Sequence, residues 1–152
     1  MKDVLNYPLH HVGFVVKDAE ETFEGLKQLL GDLKCLRYNF KPMKAYCNNI
    51  EVKNYELNII MVELEGKANI EIIQPVSEGY HMDFTEKTGG GINHICFAVD
   101  NYDELHKKFV DSEAKFLFES ETEDDVIGYR RCFYAEDSNG NVVEIKENPY
   151  FR

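Results

Sequence analysis

His11-Val12-Gly13-Phe14-Val15-Val16 and His94-Ile95-Cys96-Phe97-Ala98-Val99 are one pattern written twice, 83 positions apart. Each copy opens with a histidine and continues with apolar residues, Phe and Val falling in the same places. An internal repeat governs how every other segment is read. Seven residues after each histidine stands an N-cap residue with Glu three positions later, Asp18-Ala19-Glu20-Glu21 and Asn101-Tyr102-Asp103-Glu104. Both are read as capping boxes that open a helix. Ala19, Phe23, Leu26 and Leu30 follow at helical spacing up to Gly31, and Tyr102, Leu105 and Phe109 do so up to Asp111-Ser112. Strand-like runs come next, predicted near 36–40 (extending towards Tyr46), 57–64 and 69–74, and then near 115–118, 130–135 and 141–146. Asp137-Ser138-Asn139-Gly140 is a hairpin turn, because Asn-Gly tolerates positive φ.

The order is therefore β-α-β-β-β twice. This predicts an α+β fold of two βαβββ modules in a single domain over 8–149, with module 1 at about 8–76 and module 2 at about 91–149. Thr88-Gly89-Gly90-Gly91 is read as the linker between modules, since no helix follows to make it a phosphate loop. The first copy carries extra residues over 41–54, where the strand boundaries blur.

A length of 152 residues suits one domain with a substantial core. No apolar run approaches the roughly 20 residues of a membrane span, and Met1-Lys2-Asp3 opens no apolar leader, so a cytoplasmic address is the default. The net charge of −11 argues against nucleic acid and anionic membrane as partners and mildly disfavours a polyanionic substrate unless basic residues cluster locally; the partner expected is a small-molecule substrate. Arg130-Arg131 is the one adjacent arginine pair, a solvated pair on an edge strand or a ligand contact. Cys35, Cys47, Cys96 and Cys132 form no CxxC pair, and Cys96 and Cys132 read as buried reduced thiols.

Strand alternation separates the chemistry from the packing. Val12, Phe14 and Val16 make a bulky, helix-facing set, as do Ile95, Phe97 and Val99. His11, Gly13 and Val15, and likewise His94, Cys96 and Ala98, lie on a face of smaller side chains with room for a ligand. Each module also ends in a strand with one carboxylate among apolar neighbours, Ile70-Glu71-Ile72-Ile73 and Val142-Val143-Glu144-Ile145. An ionised Glu so placed is costly to bury unless it is paired or metal-bound. His11, Glu71, His94 and Glu144 thus make an N₂O₂ ligand set for one divalent cation, with two positions open for water or substrate. His10 competes with His11, but its parity places it with the helix-facing set. His81 and His106 lack counterparts in the repeat and read as surface residues.

On these residues the chain resembles the vicinal-oxygen-chelate superfamily, also called the glyoxalase/bleomycin-resistance/dioxygenase fold, over nearly its whole length. Ile70-Glu71-Ile72-Ile73-Gln74-Pro75 and Gly90-Gly91-Ile92-Asn93-His94-Ile95-Cys96-Phe97 look most like the methylmalonyl-CoA epimerases. The resemblance implies a single ion of zinc, nickel, cobalt, manganese or magnesium on His11, Glu71, His94 and Glu144, and members of this fold often form homodimers. It implies an isomerase or epimerase that moves an α-proton of a small acyl compound, CoA thioesters included; Glu144 and Glu71, one from each repeat and so expected on opposite sides of the metal, read as its catalytic carboxylates. It also points to a further base near Asn58, where Glu56 is the substitute on the same face. A glyoxalase-I-like lactoylglutathione lyase is the alternative with the same metal chemistry. A non-catalytic resistance module that binds a drug or metabolite is the alternative without chemistry.

Overall fold

Val12 of Leu9–Val15 (β1) and Ile95 of Gly91–Val99 (β7) stand opposite one another in an antiparallel ladder, and the rest of the molecule is arranged about that seam. The computed structural model describes residues 2–152. After β1 come helix Ala19–Leu30 (α1) and strands Lys34–Phe40 (β2), Lys44–Cys47 (β3), Ile50–Val52 (β4), Leu57–Glu63 (β5) and Asn69–Pro75 (β6). Helix Tyr80–Thr88 (α2) leads into β7. Helix Tyr102–Asp111 (α3) and strands Lys115–Asp124 (β8), Gly128–Glu136 (β9) and Val142–Glu147 (β10) complete the second module.

The strands form one mixed sheet in the order β2-β5-β6-β1-β7-β10-β9-β8-β3-β4. Each module contributes four neighbours in the same arrangement. β1 runs parallel to β6 as β7 runs parallel to β10, and the remaining pairs are antiparallel. The two predicted βαβββ modules are present.

The extra residues of the first copy do not prolong β2. They form the β3–β4 hairpin, closed by Asn48 and Asn49 at φ 50° and 66°, which pairs with β8 of the other module. Three residues link β2, at one end of the strand order, to β3, near the other. Such a link spans little more than about 14 Å, so the sheet must curl until its ends approach.

Curling creates an inside and an outside. Inside, Val15, Leu57, Ile59 and Ile73 from module 1 meet Leu117, Phe118 and Tyr134 from module 2. Outside, Phe23 of α1 packs with Val16, Ile60, Val62 and Ile72, and Leu105 of α3 packs with Val99, Phe133 and Ile145. Phe14 and Phe97 join these helix-side clusters as expected, but only half-buried at their margins.

Asp18 caps α1 by accepting from the Glu21 amide at 3.0 Å. Neither cap is the reciprocal box expected, since at α1 only the Asp18 half is made and at α3 neither half is. Asn101 makes no side-chain cap bond, because its Oδ1 accepts from Tyr7 Oη at 2.6 Å and its amide donates to the Lys2 carbonyl at 2.9 Å.

The connector holds α2, which the sequence reading passed over. The helix is short and begins at Gly79 with no side-chain cap. Gly89, Gly90 and Gly91 have φ of 82°, 97° and 143°, turning the chain out of α2 into β7 through conformations that side chains disfavour.

Candidate metal centre

The four residues singled out in the sequence converge. β1 and β7 carry His11 and His94 at the centre of the sheet, and the flanking β6 and β10 carry Glu71 opposite Gly13 and Glu144 opposite Cys96. All four residues are buried, at 1% exposure for His11, 7% for Glu71, 2% for His94 and 6% for Glu144. Nε2 of His11 lies 3.2 Å from Nε2 of His94, 3.2 Å from Glu71 Oε1 and 3.1 Å from Glu144 Oε1. His94 Nε2 lies 3.1 Å from Glu144 Oε1 and 3.5 Å from Glu71 Oε1.

These separations fit a shared cation. Ligand atoms about 2.0–2.2 Å from one small ion, at angles between about 90° and 109°, stand about 2.8–3.6 Å apart. One ligand atom from each of the four residues lies within 4.8 Å of the others. Two buried carboxylates facing each other across two imidazoles need compensating positive charge. Burial opposes an imidazolium at His11, yet the Glu71 charge, Cys96 and the hydrogen bond to Glu144 together outweigh it and raise the pKa. His94 is raised in the same way by hydrogen bonds to Glu144 and Glu71. Burial would raise both glutamates, but the histidines hold them well below the usual carboxylate range.

The site opens on two spaces. A chamber of about 50 Å³ is lined by His11, Glu71, Glu144, Arg130 and Lys146, among others, and holds no more than an ion with a water or two. His94 and Asn93 also border a groove of about 730 Å³ between α2 and the β9–β10 turn, with Lys87 and Lys115 on its rim.

Several sequence-based readings need correction. His81 is not a surface residue. It is fully buried, its ring nitrogens 2.7 Å from Tyr55 Oη and 3.0 Å from Tyr134 Oη, because α2 folds it into the inner core. Burial, with the nearby His94 charge, lowers its pKa to about 3. His10 does not face the helices, since its Nδ1 lies 2.8 Å from Nδ1 of His11. Glu56 is no base for this site. It precedes β5, its Oε2 accepts from Asn39 at 2.9 Å, and Asn58 lies on the helix side with Ile60 and Val62, opposite Leu57 and Ile59 of the inner face. β9 is not an edge strand, and both its arginines are paired, Arg130 with Asp124 at 2.8 Å and Arg131 with Glu147 at 2.6 Å. His106 is partly exposed, 2.8 Å from Glu119.

All four cysteines are free. Burial pushes the Cys96 thiol up to about 12 and raises Cys132 well above its ordinary value, so neither is poised as a nucleophile.

Three residues beside the ligands escaped the sequence reading. Tyr134 lies against His94 with ring centroids 4.6 Å apart. Asn93 Oδ1 accepts from His94 Nδ1 at 2.8 Å, and the Asn93 amide donates to Tyr80 Oη at 3.0 Å. The signal for Asn93 was a polar residue at a parity meant for the core.

A family model described as the Glyoxalase/Bleomycin resistance protein/Dioxygenase superfamily matches residues 10–133. Among solved structures, methylmalonyl-CoA epimerase from Mycobacterium tuberculosis is similar with a TM-score of 0.70 at 18% identity, covering 99% of this chain and 92% of that one. A hypothetical protein from Bacillus halodurans has a TM-score of 0.68 at 19% identity, covering 95% and 96%. A Streptomyces coelicolor methylmalonyl-CoA epimerase in complex with 2-nitronate-propionyl-CoA has 0.64 at 15%, covering 95% and 99%. At these identities the likeness is one of fold. By sequence, no curated protein matches the chain. Among the described residues, no helix is long and apolar enough to cross a membrane.

Proposed function

We propose, from the premise that this chain belongs to the Glyoxalase/Bleomycin resistance protein/Dioxygenase superfamily, that it is a metal-dependent isomerase or epimerase moving an α-proton of a small acyl compound, with CoA thioesters the first class to test. The observation that carries the reading is the buried His11/Glu71/His94/Glu144 cluster, one imidazole and one carboxylate from each module within 4.8 Å. The similar epimerase structures are consistent with it, one of them in complex with methylmalonyl-CoA.

An α-proton beside a carbonyl is too weakly acidic to leave unaided at neutral pH. A divalent ion on these four side chains would supply a Lewis acid for the carbonyl oxygen. The chain supplies the rest. Glu71 and Glu144 come from strands on opposite sides of the histidine pair, in the order β6-β1-β7-β10, an arrangement suited to taking a proton from one face and returning it to the other. Glu144 is the first choice for the proton carrier, Glu71 for the ligand that stays in place. The apolar surroundings of the chamber, Leu57, Ile59, Ile73 and Phe118, limit water and strengthen every charge interaction there. The groove beside His94 is large enough for the remote part of a thioester, with Lys87 the cation in its lining that makes no ion pair among the described residues, since Lys115 lies 3.5 Å from Glu136.

The test is α-proton exchange of acyl thioesters in deuterated water with each of zinc, nickel, cobalt, manganese and magnesium. Metal-dependent deuterium uptake is expected. Formation of lactoylglutathione from the hemithioacetal without thioester exchange would assign the lyase instead. Ligand binding without either reaction would assign the non-catalytic module.

A further inference from the structure

The residue before each candidate ligand histidine is the extra residue of a β-bulge. Leu9 stands opposite Phe97 and His11 opposite Cys96, so His10 has no opposite number; Gly13 stands opposite His94 and Phe14 opposite Ile92, so Asn93 has none. An extra residue breaks the alternation of side chains and re-aims its own. Both bulges use it in the same way. His10 Nδ1 is brought to 2.8 Å from His11 Nδ1, and Asn93 Oδ1 to 2.8 Å from His94 Nδ1. Positions 10 and 93 are equivalent in the repeat, so the same contact is built twice from different side chains.

We propose that His10 and Asn93 are positioning residues that hold the Nδ1–H of His11 and of His94, fixing the tautomer and ring orientation in which both Nε2 lone pairs face a divalent cation. The inference rests on the metal reading of the site. A neutral imidazole has a single ring proton and must keep it on Nδ1 to ligate through Nε2. An acceptor at Nδ1 keeps that proton in place while Nε2 is given to an ion, and loss of such a partner typically costs about 10–100-fold in metal affinity. Both acceptors here are uncharged. Glu71 and Glu144 already balance a divalent ion, and a carboxylate at position 10 or 93 would add a third negative charge. Neutral acceptors leave the positive charge of the ion less quenched for a substrate oxygen.

The experiment measures zinc affinity by chelator competition for wild type, His10→Leu, His10→Asn, Asn93→Leu and Asn93→Asp, with a thermal melt of each. Nitrogen NMR of the ring nitrogens of zinc-loaded, ¹⁵N-histidine-labelled protein reads the tautomers of His11 and His94. Each leucine variant is expected to bind zinc about 10–100-fold more weakly and to lose the single Nδ1–H tautomer at the adjacent histidine. His10→Asn, which borrows the solution of the second module, and Asn93→Asp should recover affinity to within a few-fold. Wild-type affinity in both leucine variants would overturn the proposal, as would rescue variants as weak as the leucines while folded. His10, His11 and Cys96 also bring donor atoms within 4.8 Å. A second zinc per chain, lost in Cys96→Ser, would place His11 Nδ1 on a metal and overturn the proposal as well. Absence of zinc binding by wild type would instead sink the metal reading on which it stands.

Discussion

Gly13 lies against the imidazole of His94 across the β1–β7 ladder, and a Cβ added to Gly13 would stand 2.2 Å from both Cε1 and Nε2 of that ring. The glycine is the condition for the position of His94. Its counterpart in the repeat, Cys96, stands opposite His11 in the same ladder.

Gly13→Ala should therefore push His94 out of the cluster while leaving the ladder paired. Zinc affinity measured by chelator competition is expected to fall by at least about 10-fold, with little change in the far-ultraviolet circular dichroism. An alanine variant with undiminished affinity would mean that His94 is not a ligand in this geometry.

One divalent ion per chain is expected in metal-loaded protein by elemental analysis. His11→Ala and His94→Ala should each lose it after dialysis, because three remaining ligands hold the ion far more weakly than four. Retention of a full equivalent by both variants would refute the assignment. His10→Ala should keep the ion at saturating metal, since it loses a supporting contact and no ligand.

Glu144→Gln keeps the shape and one coordinating oxygen but cannot take up a proton. It should keep much of its metal while α-proton exchange of an acyl thioester falls by about 10²-fold or more. Glu71→Gln should be milder in exchange if Glu71 is chiefly a ligand. Near-normal exchange in metal-loaded Glu144→Gln would move the proton carrier to Glu71.

His81 makes the stability of the chain depend on pH. Burial lowers its pKa to about 3 in the folded state, against about 6.5 unfolded. Between these values the unfolded chain holds a proton that the folded chain lacks, so stability falls as pH falls through that window, by up to about 1.4 kcal/mol per pH unit. His81→Gln removes this titration. Denaturant melts from pH 7 to pH 4 should show the wild type losing stability more steeply than the variant, whatever their difference at pH 7. Parallel slopes would show that His81 is reached by protons in the folded state.

The repeat made the module architecture legible because both signals behind it are local. His11–Val16 and His94–Val99 show strand alternation, and Asp18 sits seven residues after His11 as Asn101 sits seven after His94. The candidate ligands were legible for a similar reason, since a carboxylate between Ile70 and Ile72, or between Val143 and Ile145, stands out against its neighbours. Glu56 could not be judged that way. Its face depends on where β5 begins, and β5 begins one residue after it.

By itself, the sequence determined the two βαβββ modules and the four side chains that could share a cation, because strand period, helix spacing and cap chemistry act over a few neighbouring residues. The tertiary structure decided the rest. The β3–β4 hairpin of module 1 extends the sheet of module 2 through ladder bonds to β8 that no local pattern encodes. His81 is buried only because α2 folds onto Tyr55, Phe118 and Tyr134, residues 26 to 53 positions away. His10 and Asn93 turn towards His11 and His94 only because β1 and β7 pair with two shifts of register, and register belongs to the pair of strands, not to either one alone.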